Sequence, residues 1–180
     1  MTQTQHDVLS FWREAGPKGW FAKRDTFDVS IRTQFEDLHH TAARGELSAW
    51  EDTADGALAL LLLLDQFPRN MYRNSAHAFA SDPLARAIAR RAIERGFDQQ
   101  FEKDLRAFFY LPLEHSEDAN DQADCIALFE TTGDADLIKW AKLHADIITR
   151  FGRFPHRNAC LGRETTDAEQ AFLASGGFKG

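Results

Sequence analysis

The chain has 180 residues, 43% of them hydrophobic and 27% charged, with a formal net charge of −7. A domain of this length buries roughly 70% of its unfolded surface, so it holds a core without staples, and its ordinary composition excludes disordered and fibrous classes. The acidic balance argues against sequence-independent nucleic-acid binding, which rests on Lys and Arg displacing counterions from phosphates.

At the N-terminus, Met1 to Asp7 carries no Lys or Arg ahead of a long apolar stretch, so neither a secretion signal nor a membrane anchor is read and a cytoplasmic location is expected. The longest apolar run, Ala57 to Leu64, falls far short of the roughly 20 residues that span a bilayer and reads as a buried helix. Cys125 and Cys160 are too few for a disulfide framework and lack the spacing of a zinc or redox pair. Cys125 lies on an apolar stretch and is expected in the core, whereas Cys160 falls in a polar loop.

In chain order, a first helix is expected from about Asp7 to Glu14, with Val8, Phe11 and Trp12 on one side, stopping at Gly16-Pro17. A loop with Trp20 and Phe21 follows. From Asp25 onward, Phe27, Ile31, Phe35, Leu38 and Ala42 recur at the helical period until Gly45. Thr53 or Asp55 caps a third helix through Leu64, apolar all round as a central helix requires. Ser81-Asp82-Pro83 reads as a cap with proline at an early helical position, ahead of the stripe Leu84, Ile88 and Ala92. Phe97, Phe101, Leu105, Phe108 and Phe109 mark the next helix, which Pro112 ends or kinks. A sixth helix follows Glu114-His115-Ser116, with Ser116 as its cap, and stops at Gly133; a seventh runs from Asp134 to about Phe151. Thr166-Asp167-Ala168-Glu169 is a capping box that opens a last helix to about Ala174.

No stretch alternates as a strand does. The expected fold is therefore all-α: about eight helices packed as antiparallel hairpins in a single domain over residues 1–180. The 15 Phe and 4 Trp fit thick packing between those helices.

Standard phosphate-binding and nucleophile motifs are missing, and Glu36-x-x-His39 is only half of a di-iron pattern, so no metal or cofactor is expected. The C-terminal half separates its charge: eight acids and no Lys or Arg between Glu114 and Asp136, then four arginines and no acid between Ile147 and Arg163. Ion pairing within the chain accounts for this pattern. The alternative is an anion site, since arginine forks on the proline-stiffened loop Arg153-Phe154-Pro155-His156-Arg157-Asn158 pair bidentately with carboxylates and phosphates. Asp65-Gln66-Phe67-Pro68-Arg69-Asn70 repeats that chemistry at the exit of the most apolar helix, where polar groups must be paired or functional. His115 is a candidate proton donor or acceptor, with Glu117 to orient it.

The runs Leu64 to Arg73, Tyr110 to Glu117 and Phe151 to Asn158, closed by Leu161-Gly162-Arg163 and preceded by Val8-Leu9-Ser10-Phe11-Trp12, resemble the bacterial family called domain of unknown function 924. The resemblance covers nearly the whole chain and implies a tetratricopeptide-like α-α superhelix. It carries no established activity. The 34-residue tetratricopeptide consensus is missing, so any repeat is structural.

Three functional readings follow. The first is a binding module for an anionic small molecule, peptide or protein, with Asp65, Arg69, Asn70, Arg153, Arg157, Asn158 and Arg163 as ligand-binding residues. The second is a hydrolase or lyase on a small anionic substrate, with His115, Glu117 and His156 as catalytic residues. The third is a structural module that forms a homodimer through exposed Trp12, Trp20 or Phe178. Neither nucleic acid nor membrane is expected as a partner.

Overall fold

Residues 3–178 are described by the structure, a computed structural model, and among them every regular element is helical. In chain order the α-helices are α1 (Gln5–Ala15), α2 (Pro17–Trp20), α3 (Asp25–Ala43), α4 (Ala54–Leu61), α5 (Phe67–Met71), α6 (Asp82–Glu94), α7 (Lys103–Glu114), α8 (Ala119–Thr132), α9 (Ala135–Phe151) and α10 (Asp167–Ala174). Short 3-10 turns join several of them. Contacts divide the chain into two compact units, one made of Met1–Arg73 with His77–Pro112, the other of Asn74–Ala76 with Leu113–Gly180. No described helix is long and apolar enough to cross a membrane.

In the first unit the aromatic residues of the helical stripes meet. Trp12 stacks on Trp20 with ring centroids 5.9 Å apart, and the Trp20 indole N–H donates to the Trp12 carbonyl at 2.6 Å. Phe35 and Phe67 lie 5.1 Å apart, and Phe108 packs edge-on against both tryptophans. Trp12 and Trp20 are 0% and 7% exposed, so burial removes both from the dimerisation surface expected of them. Thr53, of the two candidates, caps α4, accepting the Gly56 N–H at 3.1 Å.

A π-helical turn, Leu62–Gln66, joins α4 to α5. There the Phe67 N–H reaches back five residues to the Leu62 carbonyl. Pro68, next in line, has no N–H to offer. The Leu63 carbonyl thus loses both backbone donors that a helix could supply, and His39 Nδ1 donates to it at 2.8 Å. A carbonyl only accepts, which fixes the His39 tautomer with its proton on Nδ1. The Leu64 carbonyl, whose α-helical donor would be the proline, receives the Ser81 hydroxyl at 2.6 Å. Arg69 Nη1 takes the Asp65 carbonyl at 2.7 Å. Three successive carbonyls are therefore satisfied by side chains, two of them from α3 and from the residue before α6.

Ser81 makes no cap hydrogen bond in consequence; α6 starts with Asp82 and Pro83 in its first turn. Pro112 lies inside α7, near its end, and does not stop it.

In the second unit α8 and α9 form a hairpin turned at Gly133, whose φ of 66° suits glycine. Ile147, Ile148 and Phe154 are buried, with Phe151, Phe172 and Phe178 packed against them. Asp118, not Ser116, caps α8, accepting the Asn120 N–H at 2.7 Å. The Ser116 hydroxyl instead donates to Asp121 at 2.6 Å and accepts the Asp118 N–H at 3.1 Å. The Thr166–Glu169 capping box opens α10 as its sequence predicts.

Replacing Ser81 by alanine leaves the buried Leu64 carbonyl without that donor and lowers stability by about 1–3 kcal/mol in urea unfolding. In a Pro68→Ala background, where an N–H returns beside that carbonyl, the penalty shrinks. An undiminished penalty would show that the proline is not what the serine compensates.

Candidate functional site

Two polar constellations carry the residues singled out above, one in each unit. In the first unit Asp65, 1% exposed, lies where the π turn ends. Arg69 sits between two carboxylates, with Nη1 and Nη2 on Asp82 at 2.9 and 3.0 Å and Nη1 also 3.2 Å from Asp65 Oδ1. Burial alone would lower the Arg69 pKa, but the two carboxylates outweigh it and hold it raised. Asn70 donates to Asp28 Oδ1 at 2.8 Å, and Arg73 clamps the same carboxylate at 2.5 and 3.0 Å. Burial pushes the Asp28 carboxyl up; the Arg73 and Asn70 hydrogen bonds win and hold it below its usual range. Asp65, Arg69 and Asn70 thus work as ties between α3, α5 and the start of α6.

Beside them is a group that the sequence pattern did not reveal. The Tyr72 hydroxyl donates to Glu36 Oε1 at 3.0 Å and lies 3.3 Å from His40 Nε2. The rings of His39, His40 and His77 surround that of Tyr72 at centroid distances of 5.8, 6.4 and 5.7 Å. Burial and the Glu36 carboxylate push the Tyr72 pKa up to about 12, and burial pushes His39 down. Only Glu36-x-x-His39 hinted at this cluster, because Tyr72 and His77 join it through the fold. Among the described residues no three His, Cys, Asp or Glu side chains are grouped so as to hold a metal ion.

In the second unit Glu169, 2% exposed, is the hub of the arginine loop. It accepts Arg153 Nε and Nη2 at 2.6 and 2.8 Å, the Asn158 amide at 3.2 Å and the Thr166 N–H at 2.8 Å. Arg153 above all, and Thr166 with it, holds the Glu169 carboxyl down at about 2. Arg153 Nη2 also reaches the Glu164 carbonyl at 2.7 Å. Glu117 accepts the Phe154 N–H at 2.8 Å and both Arg163 Nη atoms at 2.7 and 3.0 Å. Burial raises Glu117, and those donors more than reverse it.

Both oxygens of Glu117 are therefore occupied by the arginine loop, and it does not orient His115 as expected. His115 is half-buried; His156 packs its ring edge-on to Phe178 at 5.2 Å. Arg157 is 6% exposed with its guanidinium 4.5 Å from the Phe154 ring centre. His144 Nδ1, 2.9 Å from the Trp140 carbonyl, is also 3.4 Å from the buried Glu114 carboxylate. Burial pushes the Cys125 thiol up, and the charges of Glu114 and Asp121 push it further, which disfavours its thiolate. Cys160 donates to the Arg157 carbonyl at 3.2 Å.

A hollow of about 540 Å³ opens at this loop, lined by Arg153, Arg163, Glu164, Thr165 and Thr166. The structure brings Glu117, Arg153, Asn158 and Arg163 together here, with Glu169 as the member that sequence reasoning treated only as a helix cap. Among the described residues Arg153 Nη1 donates to no acceptor, since Nε and Nη2 make all of its hydrogen bonds.

The model of a family described as a bacterial protein of unknown function (DUF924) matches residues 8–177, which span both constellations. A solved structure of a protein of unknown function, ATU0120 from Agrobacterium tumefaciens, is similar to this chain at 48% identity with a TM-score of 0.92, covering 95% of this chain and 97% of that one. No curated protein matches the chain.

Two acid limbs of stability follow. Glu169 is more acidic folded than unfolded, so its contribution is complete above the ordinary value of 4.5 and is lost as pH falls toward about 2. Glu169→Gln is expected to lower Tm at neutral pH and to flatten the Tm curve over that window; an unchanged acid limb would refute its role as hub. For His39 the unfolded chain takes the proton first, so its contribution is complete above 6.5 and declines below. His39→Gln, which keeps a donor for Leu63, is expected to remove that decline in a Tm series from pH 8 to 5.

Proposed function

The chain belongs to the bacterial family of unknown function DUF924, and we propose that its second unit recognises an anionic group, a carboxylate or phosphate on a small molecule or peptide, at the hollow beside α10. The observation that carries this reading is the uncommitted Nη1 of Arg153, held rigid by Glu169 and set in a hollow with two threonines. Guanidinium forks preorganised in this way lose little entropy on binding an anion. The Thr165 and Thr166 hydroxyls add donors, and Thr166 is the N-cap of α10, where the helix dipole favours negative charge.

Because Glu117 and Glu169 already neutralise Arg163 and Arg153, selectivity rests on directed N–H and O–H groups more than on net charge. Glu164 lines the same hollow and opposes an anion. Recognition is favoured over catalysis because Glu117, the acid expected to orient His115, is committed to Arg163 and the Phe154 N–H. Asp65, Arg69 and Asn70 are assigned to structure, through their ties to Asp82 and Asp28. A tetratricopeptide-like superhelix and a cytoplasmic setting belong to the same reading, supported by the consecutive helices and by two free cysteines that suit a reducing compartment.

Thermal-shift titration with phosphate and with citrate tests the reading, because a ligand of the native state raises Tm by mass action. Glu164→Gln is expected to strengthen the shift and Thr165→Val to weaken it, each by roughly threefold in apparent Kd, which is under 1 kcal/mol. Absence of any shift at tens of millimolar anion, or identical titrations for the two variants, would sink the proposal.

A further inference from the structure

We propose that the first unit carries a docking groove for a basic peptide segment of a partner protein. The groove is a hollow of about 780 Å³ walled by α1 and α2, by the first turn of α4, and by residues 100–105 at the start of α7. Trp20, Phe101, Leu105 and Pro17 give it an apolar lining, and Asp55, Glu102 and Asp104 stand on it as exposed carboxylates. One guanidinium, Arg13, opposes these three acids, and it approaches Asp55 only to 3.9 Å.

The fold has its own use for two of the acids. Asp55 and Asp104 lie in the first turns of α4 and α7, where a carboxylate offsets the helix dipole. Glu102 immediately precedes α7, where its charge acts on the same dipole, but as a capping residue the position favours Ser, Thr, Asp or Asn over Glu. Among the described residues neither Glu102 nor Asp104 makes an ion pair or a side-chain hydrogen bond. Unpaired acids beside apolar side chains in a mixed polar and apolar hollow are complementary to lysine and arginine, whose methylene stems lie on apolar surface while their charged heads reach the carboxylates. The net charge of −7 steers a basic partner to the same chain.

A peptide fits better than a small amine. Small-ligand pockets enclose most of their ligand's surface, whereas this hollow is open to solvent and its acids come from two separate walls. An extended segment bridges those walls with successive side chains.

The test is fluorescence anisotropy of the full chain with a labelled short peptide of alternating lysine and leucine, compared with its glutamate–leucine counterpart. The lysine peptide is expected to bind and to weaken as salt rises. The exposed double variant Glu102→Gln/Asp104→Asn is expected to weaken it by about tenfold, or 1.4 kcal/mol. Asp25→Asn/Asp37→Asn, an equal charge change at exposed positions of α3 outside the groove, is expected to leave it nearly unchanged. Equal binding of the glutamate peptide, equal weakening by both double variants, or complete competition by micromolar spermidine would overturn the proposal, the last in favour of a small-amine site.

Discussion

A proline that follows a π turn in the most buried stretch of the chain imposes the constraint on which the first unit depends. Leu63 and Leu64 are fully buried, and a buried carbonyl without a donor costs as much as a lost hydrogen bond. With the Phe67 N–H directed to Leu62 and no N–H on Pro68, the donors must come from elsewhere. His39 and Ser81 supply them. That requirement sets how α3 and the start of α6 approach the α4–α5 junction. π turns often mark functional places; here the turn carries the buried Asp65 and, through the Leu63 carbonyl, holds His39 of the cluster around Tyr72.

In the second unit a single buried carboxylate plays the corresponding part. Glu169 gathers donors from Arg153, Asn158 and the N-terminus of its own helix, while Glu117 does the same for Arg163 and the Phe154 backbone. The loop between α9 and α10 has little regular structure, so these charge-assisted bonds are what hold it. The separation of acids and arginines along the chain is in part the imprint of this arrangement, because Glu117 and Arg163 come from the two opposite blocks. What remains for an outside ligand is the part of each guanidinium that the carboxylates do not cover.

How much of this was legible varies with distance along the chain. The caps at Thr53 and Thr166 could be read because a cap and the N–H it accepts lie three residues apart. Ser81 holds the N-cap position of α6 without a side-chain cap bond, and Ser116 is not the cap of α8, because Leu64 and Asp121 hold their hydroxyls and neither partner is marked by a local pattern. Trp12, on the first helix, and Trp20, in the loop expected after it, are exposed anchors in one of the three readings and are core in the structure, where the rest of the aromatic cluster closes over them. The polar motifs were recognisable as chemically unusual, yet whether each arginine faced an acid or a ligand could not be read from them.

By itself the sequence determined the class: the 3.6-residue period, the capping residues and the glycine stops make an all-helical chain of this family, since helices are built from interactions three and four residues apart. Only the tertiary structure decided the partners. Arg69 meets Asp82, Arg163 meets Glu117 and Arg153 meets Glu169 across 13 to 46 residues. A guanidinium donates to any carboxylate equally well, so its choice is made by the packing that brings one within reach.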